Sequence, residues 1–350
     1  MADARTTDAH LPSRRTAFKA GLALGLSGLL LPTLNACTPE DRSRTVTVAG
    51  GEPGGFYLEF STLLAESLQR HGVVGTAVPQ VTGGSLENLQ RLLAGDATFA
   101  VALADAAAQQ AAQQAAAGPS SGASAPGPSS GAGGIVALGK VYENYVHCLV
   151  RKDSAIRSFA DLAGKAVAIG EAGSGTSLTA HRVIAASGLS AAGTTAADNP
   201  VRELNLGLNN GLAALKERSV DALFWSGGVP TAAITAANKE MGLAMIDLSA
   251  LIRQTRAQFG AFYDRVLIPE NSYEGIPGVW TVGVANLLLC RGDLDERIVK
   301  RTVELLVDQA QELIPRSSLG VQFLSPETLI NTAGVPLHPA AAAAYRDLHG

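Results

Sequence analysis

The segment from Thr45 to Asp105 repeats one local pattern, in which a short apolar run leads through a turn into a helical stretch. The apolar runs are 45–50, 76–81 and 99–103, and the helical periodicity covers 57–70 and 86–94. Strands that alternate with helices at such short intervals are typical of a mostly parallel α/β sheet. The sequence therefore predicts an α/β fold.

Three turns of this pattern follow the carboxyl ends of predicted strands, where open α/β sheets bind ligands. They are Gly55–Tyr57, Thr82–Ser85 and the position of Asp105. Glycine in such turns lets the backbone approach a ligand closely. We therefore expect a ligand site where these turns meet.

The stretch from Lys165 to Arg182 has the same form and carries the strongest anion signal. A buried strand, 167–169, leads through a loop of Gly, Ser and Thr residues into a helix. The first N–H groups of a helix have no partner within it, and the helix dipole favours negative charge there. This loop predicts an anion cradle, although most turns of this kind bind nothing. It is not a P-loop, because no lysine follows its second glycine.

The N-terminal 37 residues have the form of an export signal. Arg14, Arg15 and Lys19 precede an apolar run, which ends in Leu-Asn-Ala-Cys at Cys37. A basic segment followed by such a run predicts a signal peptide. The ending resembles a lipobox, which predicts lipidation of Cys37, and the arginine pair resembles a twin-arginine signal.

The export signal predicts a mature protein outside the cytoplasmic membrane, anchored by lipid through a polar tether at 38–44. ATP and NAD are not available there, so we expect no cofactor. The net charge of −4 and the 5% aromatic content disfavour nucleic acid as a partner. The segment 118–134 contains only Gly, Pro, Ser and Ala, and it predicts a flexible surface insertion.

Several motifs in order along the chain resemble the solute receptors of the TAXI branch of tripartite ATP-independent periplasmic (TRAP) transporters. These motifs are Gly54-Gly55-Phe56-Tyr57, Thr82-Gly83-Gly84-Ser85 with Asn88, Tyr142-Glu143 with His147, Asp161-Leu162-Ala163-Gly164-Lys165, Gly173-Ser174-Gly175-Thr176, Asp221-Ala222-Leu223-Phe224 with Gly228-Val229-Pro230, and Ile268-Pro269 with Tyr273.

The resemblance implies a two-lobed periplasmic binding protein fold of the type II kind, in which each lobe is a mostly parallel sheet flanked by helices. It implies lobe 1 at 45–141, lobe 2 at 142–255, and a return to lobe 1 with C-terminal helices at 256–350. It further implies capture of a small organic anion or amino acid, such as glutamate, between the lobes. The solute would pass to a membrane permease of the TRAP type, and no catalysis is implied.

Carried over by motif, the ligand-binding residues lie on both sides of the cleft between the lobes. We expect a Ser/Thr/Gly cradle for a carboxylate, an aspartate for an amino group, and an aromatic wall. The predicted ligand-binding residues are Phe56, Tyr57, Thr82, Ser85, Asp105, Ser174, Gly175, Thr176, Trp225, Gly228 and Pro230. No metal site is predicted.

Closure of the lobes needs a hinge, and we expect it near Tyr142–His147 and near Leu251–Phe262, with Glu143 and His147 as hinge residues. His147 on an apolar strand also fits a buried core histidine. Cys148 and Cys290 lie in apolar runs and predict buried free thiols, with a disulfide as the alternative.

Three other functions compete with the TRAP receptor. An enzyme is disfavoured, because His147 and Cys148 are strand neighbours that point to opposite faces, and no HExxH motif is present. The other two alternatives are the receptor of an ATP-driven importer and a ligand-sensing lipoprotein.

Overall fold

The computed structural model describes residues 45–117, 133–191, 198–316, 318, 324–325 and 327–349. The strands are β1 Thr45–Ala49, β2 Thr76–Gln80, β3 Phe99–Leu103, β4 Ile135–Arg151, β5 Ala166–Ala168, β6 Arg202–Leu204, β7 Ala222–Gly227, β8 Leu243–Met245, β9 Tyr263–Ile268 and β10 Val279–Arg291. The helices are α1 Phe56–Arg70, α2 Ser85–Ala94, α3 Ala104–Ala117, α4 Gly175–Ser187, α5 Leu208–Lys216, α6 Ala232–Met241, α7 Ile252–Phe259, α8 Glu296–Asp308 and α9 Pro339–His349. Short 3-10 helices lie at Phe159–Leu162, Ser249–Leu251 and Ala310–Leu313.

The described strands form one sheet in the order β2-β1-β3-β10-β4-β7-β5-β6, with β8 paired to β4 and β9 to β10. At one end β1, β2 and β3 are parallel, and at the other β5, β6 and β7 are parallel. The long strands β4 and β10 lie between these groups: β10 runs antiparallel to β3, β4 runs antiparallel to β7, and the two are antiparallel to each other. The predicted fold is confirmed: two lobes, each a mostly parallel sheet flanked by helices.

The chain crosses between the lobes in the middle of β4 and of β10. The first part of β4 pairs with β10 beside β3, whereas its second part, from Tyr145, pairs with β7. Strand β10 pairs with β9 up to Val284 and with β3 from Asn286. The predicted hinge at Tyr142–His147 therefore coincides with a crossing.

The other predicted hinge, Leu251–Phe262, does not lie at a crossing. It is occupied mostly by α7, which packs against α4 of lobe 2. Its apolar residues belong to a helix that covers the sheet, and the second crossing is in β10 instead. The lobe boundaries remain a prediction, and the pairing moves the expected return to lobe 1 from residue 256 to the middle of β10.

Two further elements differ from the form that the sequence predicts. The sequence predicts a helix from Leu204 to Lys216, but Leu204 ends the short strand β6, and α5 begins only at Leu208. Pairing with β5 places Leu204 opposite Ala168. The apolar runs 135–138 and 141–150 predict two separate strands, but they form the single strand β4.

The two faces of the sheet have differently organised cores. On one face, residues of both lobes share a single cluster, which includes Leu103 and Leu89 of lobe 1 and Val183 and Ile184 of lobe 2. On the other face, lobe 1 has its own cluster under α1, α8 and α9, and lobe 2 has another under α5 and α6. One shared cluster thus joins the lobes on one face, whereas each lobe has its own cluster on the other.

Several sequence predictions lie outside the described residues. These are the signal peptide at 1–37 with its lipidation site Cys37, the tether at 38–44, and most of the insertion at 118–134. Within the part of the chain that the structure describes, no helix is both long and apolar enough to cross a bilayer.

Candidate functional site

A cavity of about 30 Å³ lies between the lobes, at the carboxyl ends of the parallel strands. Its walls come from the turns after β1, β2, β5 and β7, from β3 and from the crossing in β4. The lining residues are Gly51, Glu52, Gly55, Phe56, Tyr57, Gly83, Gly84, Ser85, Leu103, Asn144, Ser174, Gly175, Thr176, Trp225, Ser226 and Gly227.

The N-termini of α1, α2 and α4 all border this cavity. Gly55 and Gly84 are the residues before α1 and α2, and neither has a side chain that caps its helix. Gly84 has φ of 113°, a backbone conformation that favours glycine. Helix N-termini present N–H groups and positive potential, so this arrangement favours an anionic group in the cavity.

The predicted cradle residues Ser174, Gly175 and Thr176 lie at the cavity wall. The Ser174 hydroxyl accepts the Ser177 N–H at 3.0 Å, which caps α4. The Thr176 hydroxyl accepts the Ser226 N–H at 3.2 Å. In the described contacts both oxygens act as acceptors only, so each hydroxyl hydrogen remains available to a ligand.

Tyr57 and Ser85 also line the cavity, and their hydroxyls bond to each other at 3.1 Å. Tyr57 donates to Asn286 Oδ1 at 2.5 Å, so Ser85 is the donor to Tyr57. Ser85 Oγ in turn accepts the Leu103 N–H at 3.1 Å. Burial raises the pKa of Tyr57, which keeps its hydroxyl protonated. The Ser85 hydroxyl is therefore committed to the protein.

Phe56 and Trp225 form the aromatic part of the wall, as expected. Trp225 donates its indole N–H to Thr231 Oγ1 at 3.1 Å. Gly228 and Pro230 were expected at the mouth of the cleft, but neither lines the cavity. Gly228 lies against Phe56, where an added Cβ would be 2.4 Å from the ring, and Pro230 follows a cis peptide bond. The Gly228–Pro230 motif therefore supports the cavity wall without lining it.

Thr82 and Asp105, both predicted to bind ligand, do not line the cavity either. Thr82 is buried and donates to Asn88 Oδ1 at 2.6 Å, which fixes the turn before α2. Asp105 is fully buried and accepts from Arg182 at 3.0 Å and from Tyr263 at 2.9 Å. Burial raises the pKa of Asp105, and the Arg182 guanidinium offsets part of this rise. The Asp105 carboxylate is thus already paired within the protein, and it joins α3 of lobe 1 to α4 of lobe 2.

Sequence reasoning missed Glu52 and Asn144, which both line the cavity. Asn144 is buried and donates to the Ser226 carbonyl at 3.1 Å, while its Oδ1 has no partner among the described residues. Burial and the charge of Glu171 raise the pKa of the half-buried Glu52. The sequence placed Glu52 in a glycine-rich turn and Asn144 between two motif residues, Glu143 and His147. Successive side chains of a strand point to opposite faces, so the position of Asn144 next to Glu143 was the signal that could have distinguished it.

The predicted hinge residues lie at the crossing in β4. Glu143 forms an ion pair with Lys140 at 3.1 Å. His147 is buried, and its Nδ1 donates to the Tyr145 carbonyl at 2.9 Å. Its Nε2 accepts from the Tyr273 hydroxyl at 2.9 Å. Burial lowers the pKa of His147 to about 4, so the imidazole is neutral.

Neither cysteine of the described chain reaches the cavity. Cys148 and Cys290 are buried free thiols in separate strands. Burial raises the pKa of Cys148 to about 12, which suppresses the reactive thiolate. Among the described residues there is no group of three or more His, Cys, Asp or Glu side chains arranged to hold a metal ion.

A protein-family model described as the NMT1-like family matches residues 48–348. The chain belongs to the NMT1-like family. The match covers both lobes and every residue of the cavity wall, so the cavity is part of the family domain. Membership of this family does not by itself identify the solute.

Solved structures similar to this NMT1-like chain come from several bacteria. They include XAC2383 from Xanthomonas citri bound to ATP, at 14% identity over 88% of this chain and 100% of the other, with a TM-score of 0.48. The periplasmic aliphatic sulphonate binding protein SsuA from Escherichia coli matches at 16% identity over 87% and 83%, with a TM-score of 0.43. The ligand-binding core of GluR0 from Nostoc punctiforme, in complex with L-glutamate, matches at 15% over 76% and 95%, with a TM-score of 0.44. These likenesses are too distant to assign a ligand to this chain.

Proposed function

We propose that this protein is an extracytoplasmic solute receptor that captures a small organic anion or amino acid between its lobes. The observation that carries the proposal is the convergence of three helix N-termini, those of α1, α2 and α4, on one inter-lobe cavity. Backbone N–H groups from both lobes would meet the anionic group, so binding would draw the lobes together.

The acceptors in the same cavity favour an amino acid over a simple acid. The carboxylate of Glu52 and the unpartnered Oδ1 of Asn144 would accept hydrogen bonds from an ammonium group. Ser174 and Thr176 would donate to the carboxylate end. A glutamate-like amino acid offers both kinds of group, and the Trp225 and Phe56 rings would cover its apolar part.

For the partner we propose the membrane permease of a TRAP-type secondary transporter, on the strength of the TAXI motifs. The lipobox at Cys37 would hold the receptor at the membrane surface. The alternatives are a receptor for an ATP-driven importer and a ligand-sensing lipoprotein, both of which bind solute in the same way. Solute uptake by cells separates the two importers, because collapse of the ion gradient at constant ATP stops a TRAP importer but not an ATP-driven one.

Thermal unfolding of the purified protein with a panel of amino acids, monocarboxylates and dicarboxylates tests the binding function. A solute at 100 times its dissociation constant adds about 2.7 kcal/mol of stability. We expect such a shift for at least one amino acid of the panel. Mass spectrometry of the denatured protein detects a co-purified solute, and absence of both a shift and a co-purified molecule would contradict the proposal.

A further inference from the structure

The lobes are joined differently on the two faces of the sheet, and this decides where the cleft opens. On the face that carries α3, α4 and α7, one apolar core contains residues of both lobes, and the buried Asp105–Arg182 pair crosses between them. On the opposite face each lobe has a separate core. The cleft therefore opens on the face of separate cores, where only local contacts have to break.

Glu52 makes such a local contact. It lies in the turn after β1 in lobe 1, and its carboxylate accepts the N–H of Leu208 in lobe 2 at 3.2 Å. Leu208 is the first residue of α5, and the preceding residue, Gly207, supplies no side-chain cap. A carboxylate at a helix N-terminus satisfies a free N–H group and interacts favourably with the helix dipole. Glu52 thus caps a helix of the opposite lobe.

The residue at 207 fits this arrangement independently. Gly207 has φ of −63°, so its backbone conformation does not require glycine. An added Cβ would, however, lie 2.8 Å and 3.0 Å from the two carboxylate oxygens of Glu52. A side chain at 207 would displace the carboxylate, so glycine at this position is explained by the close approach of Glu52.

We propose that Glu52 is the latch of the cleft: it caps α5 across the opening and at the same time forms part of the cavity wall. The inference rests on the proposed function, because a latch matters only if the lobes part to admit a solute. Closing the lobes brings the carboxylate onto α5, and opening them exposes both the carboxylate and the helix N-terminus to water. A solute that donates a hydrogen bond to Glu52 would hold the carboxylate in the position that caps α5.

Trp225 reports the state of the cleft without any solute. Its indole ring lies beside the Glu52 turn, since a Cβ on Gly55 would be 3.4 Å from it. The chain has two tryptophans, so Trp280→Phe leaves Trp225 as the single emitter. Acrylamide quenching of the full-length protein in this background then measures how often Trp225 is exposed.

In this background we expect Glu52→Ala to shift the equilibrium toward the open state by about tenfold, the usual effect of losing an N-cap. Acrylamide quenching of Trp225 rises accordingly. Glu66→Gln is the control, because it removes an exposed carboxylate of α1 that lies beside Arg70 on the same helix, and we expect quenching to stay unchanged. Equal quenching of the parent and Glu52→Ala would overturn the proposal.

The double variant Glu52→Ala with Gly207→Ser separates a latch from a simple helix cap. Serine at 207 gives α5 its own N-cap, so thermal stability should recover, but it makes no link to lobe 1. Under the proposal Trp225 remains exposed to quencher in the double variant. If its protection returns together with stability, Glu52 only supports α5 and the latch is wrong. No solute is added, so this outcome leaves the receptor function standing, and the thermal-shift panel tests that function separately.

Discussion

His147 should make this protein lose stability in mild acid, and the loss can be calculated from its surroundings. The imidazole is buried, and its Nε2 accepts from the Tyr273 hydroxyl, so protonation would both bury a charge and break this bond. Its pKa is about 4 in the folded chain, against about 6.5 for an unperturbed histidine. Between these values the unfolded chain binds the proton and the folded chain does not. The free energy of unfolding therefore falls as the pH falls from 6.5 to 4.

The size of this loss is about 3 kcal/mol, since each pKa unit corresponds to about 1.4 kcal/mol. Urea unfolding at a series of pH values measures it, with His147→Gln as the test variant. His71→Gln, at the surface beside Glu312, is the control. We expect the parent and the control to lose this stability between pH 6.5 and 4, and His147→Gln to lose correspondingly less. Parallel curves for all three proteins would refute the reasoning.

Two other predictions concern the cavity and the link between the lobes. Ser174→Ala combined with Thr176→Val removes the two available hydroxyl donors and should weaken a bound carboxylate by about 1–3 kcal/mol, as measured by titration calorimetry with the solute found in the thermal-shift panel; unchanged affinity would place the carboxylate elsewhere. Asp105→Asn leaves the Arg182 guanidinium buried without its counter-charge, and should lower the free energy of unfolding by about 3–5 kcal/mol. Glu240→Gln, which removes an exposed carboxylate paired with the exposed Lys216, is its control in the same urea titrations and should change stability little.

Local sequence patterns were sufficient to predict the α/β class, whereas the division into two lobes was implied by the resemblance to TAXI receptors. The apolar run 99–103 is β3 to the residue, and the turns at Gly55–Tyr57 and Thr82–Ser85 lead into α1 and α2 as expected. Each of these signals is confined to neighbouring residues. The strand β6 escaped prediction because its three residues are too few to show a period of two.

The site was harder to predict because its contacts join residues far apart in the chain. Asp105 meets Arg182, which lies 77 positions away, and no local pattern shows that an arginine will take the place expected for a ligand's amino group. Glu52 meets Leu208 across 156 positions. The cradle at Ser174–Thr176 was predictable because a helix N-terminus carries its donors within a few residues.

Backbone groups and side chains have different roles in the cavity, and the difference follows from these two kinds of contact, local and distant in the chain. Anion affinity in the proposed site comes from backbone N–H groups that the helices α1, α2 and α4 present wherever the fold places their first turns. Selectivity has to come from side chains that vary independently of the fold, here Glu52 and Asn144. Glu52 has in addition a contact with the opposite lobe. A change at Glu52 should therefore alter both the choice of solute and the ease of closure.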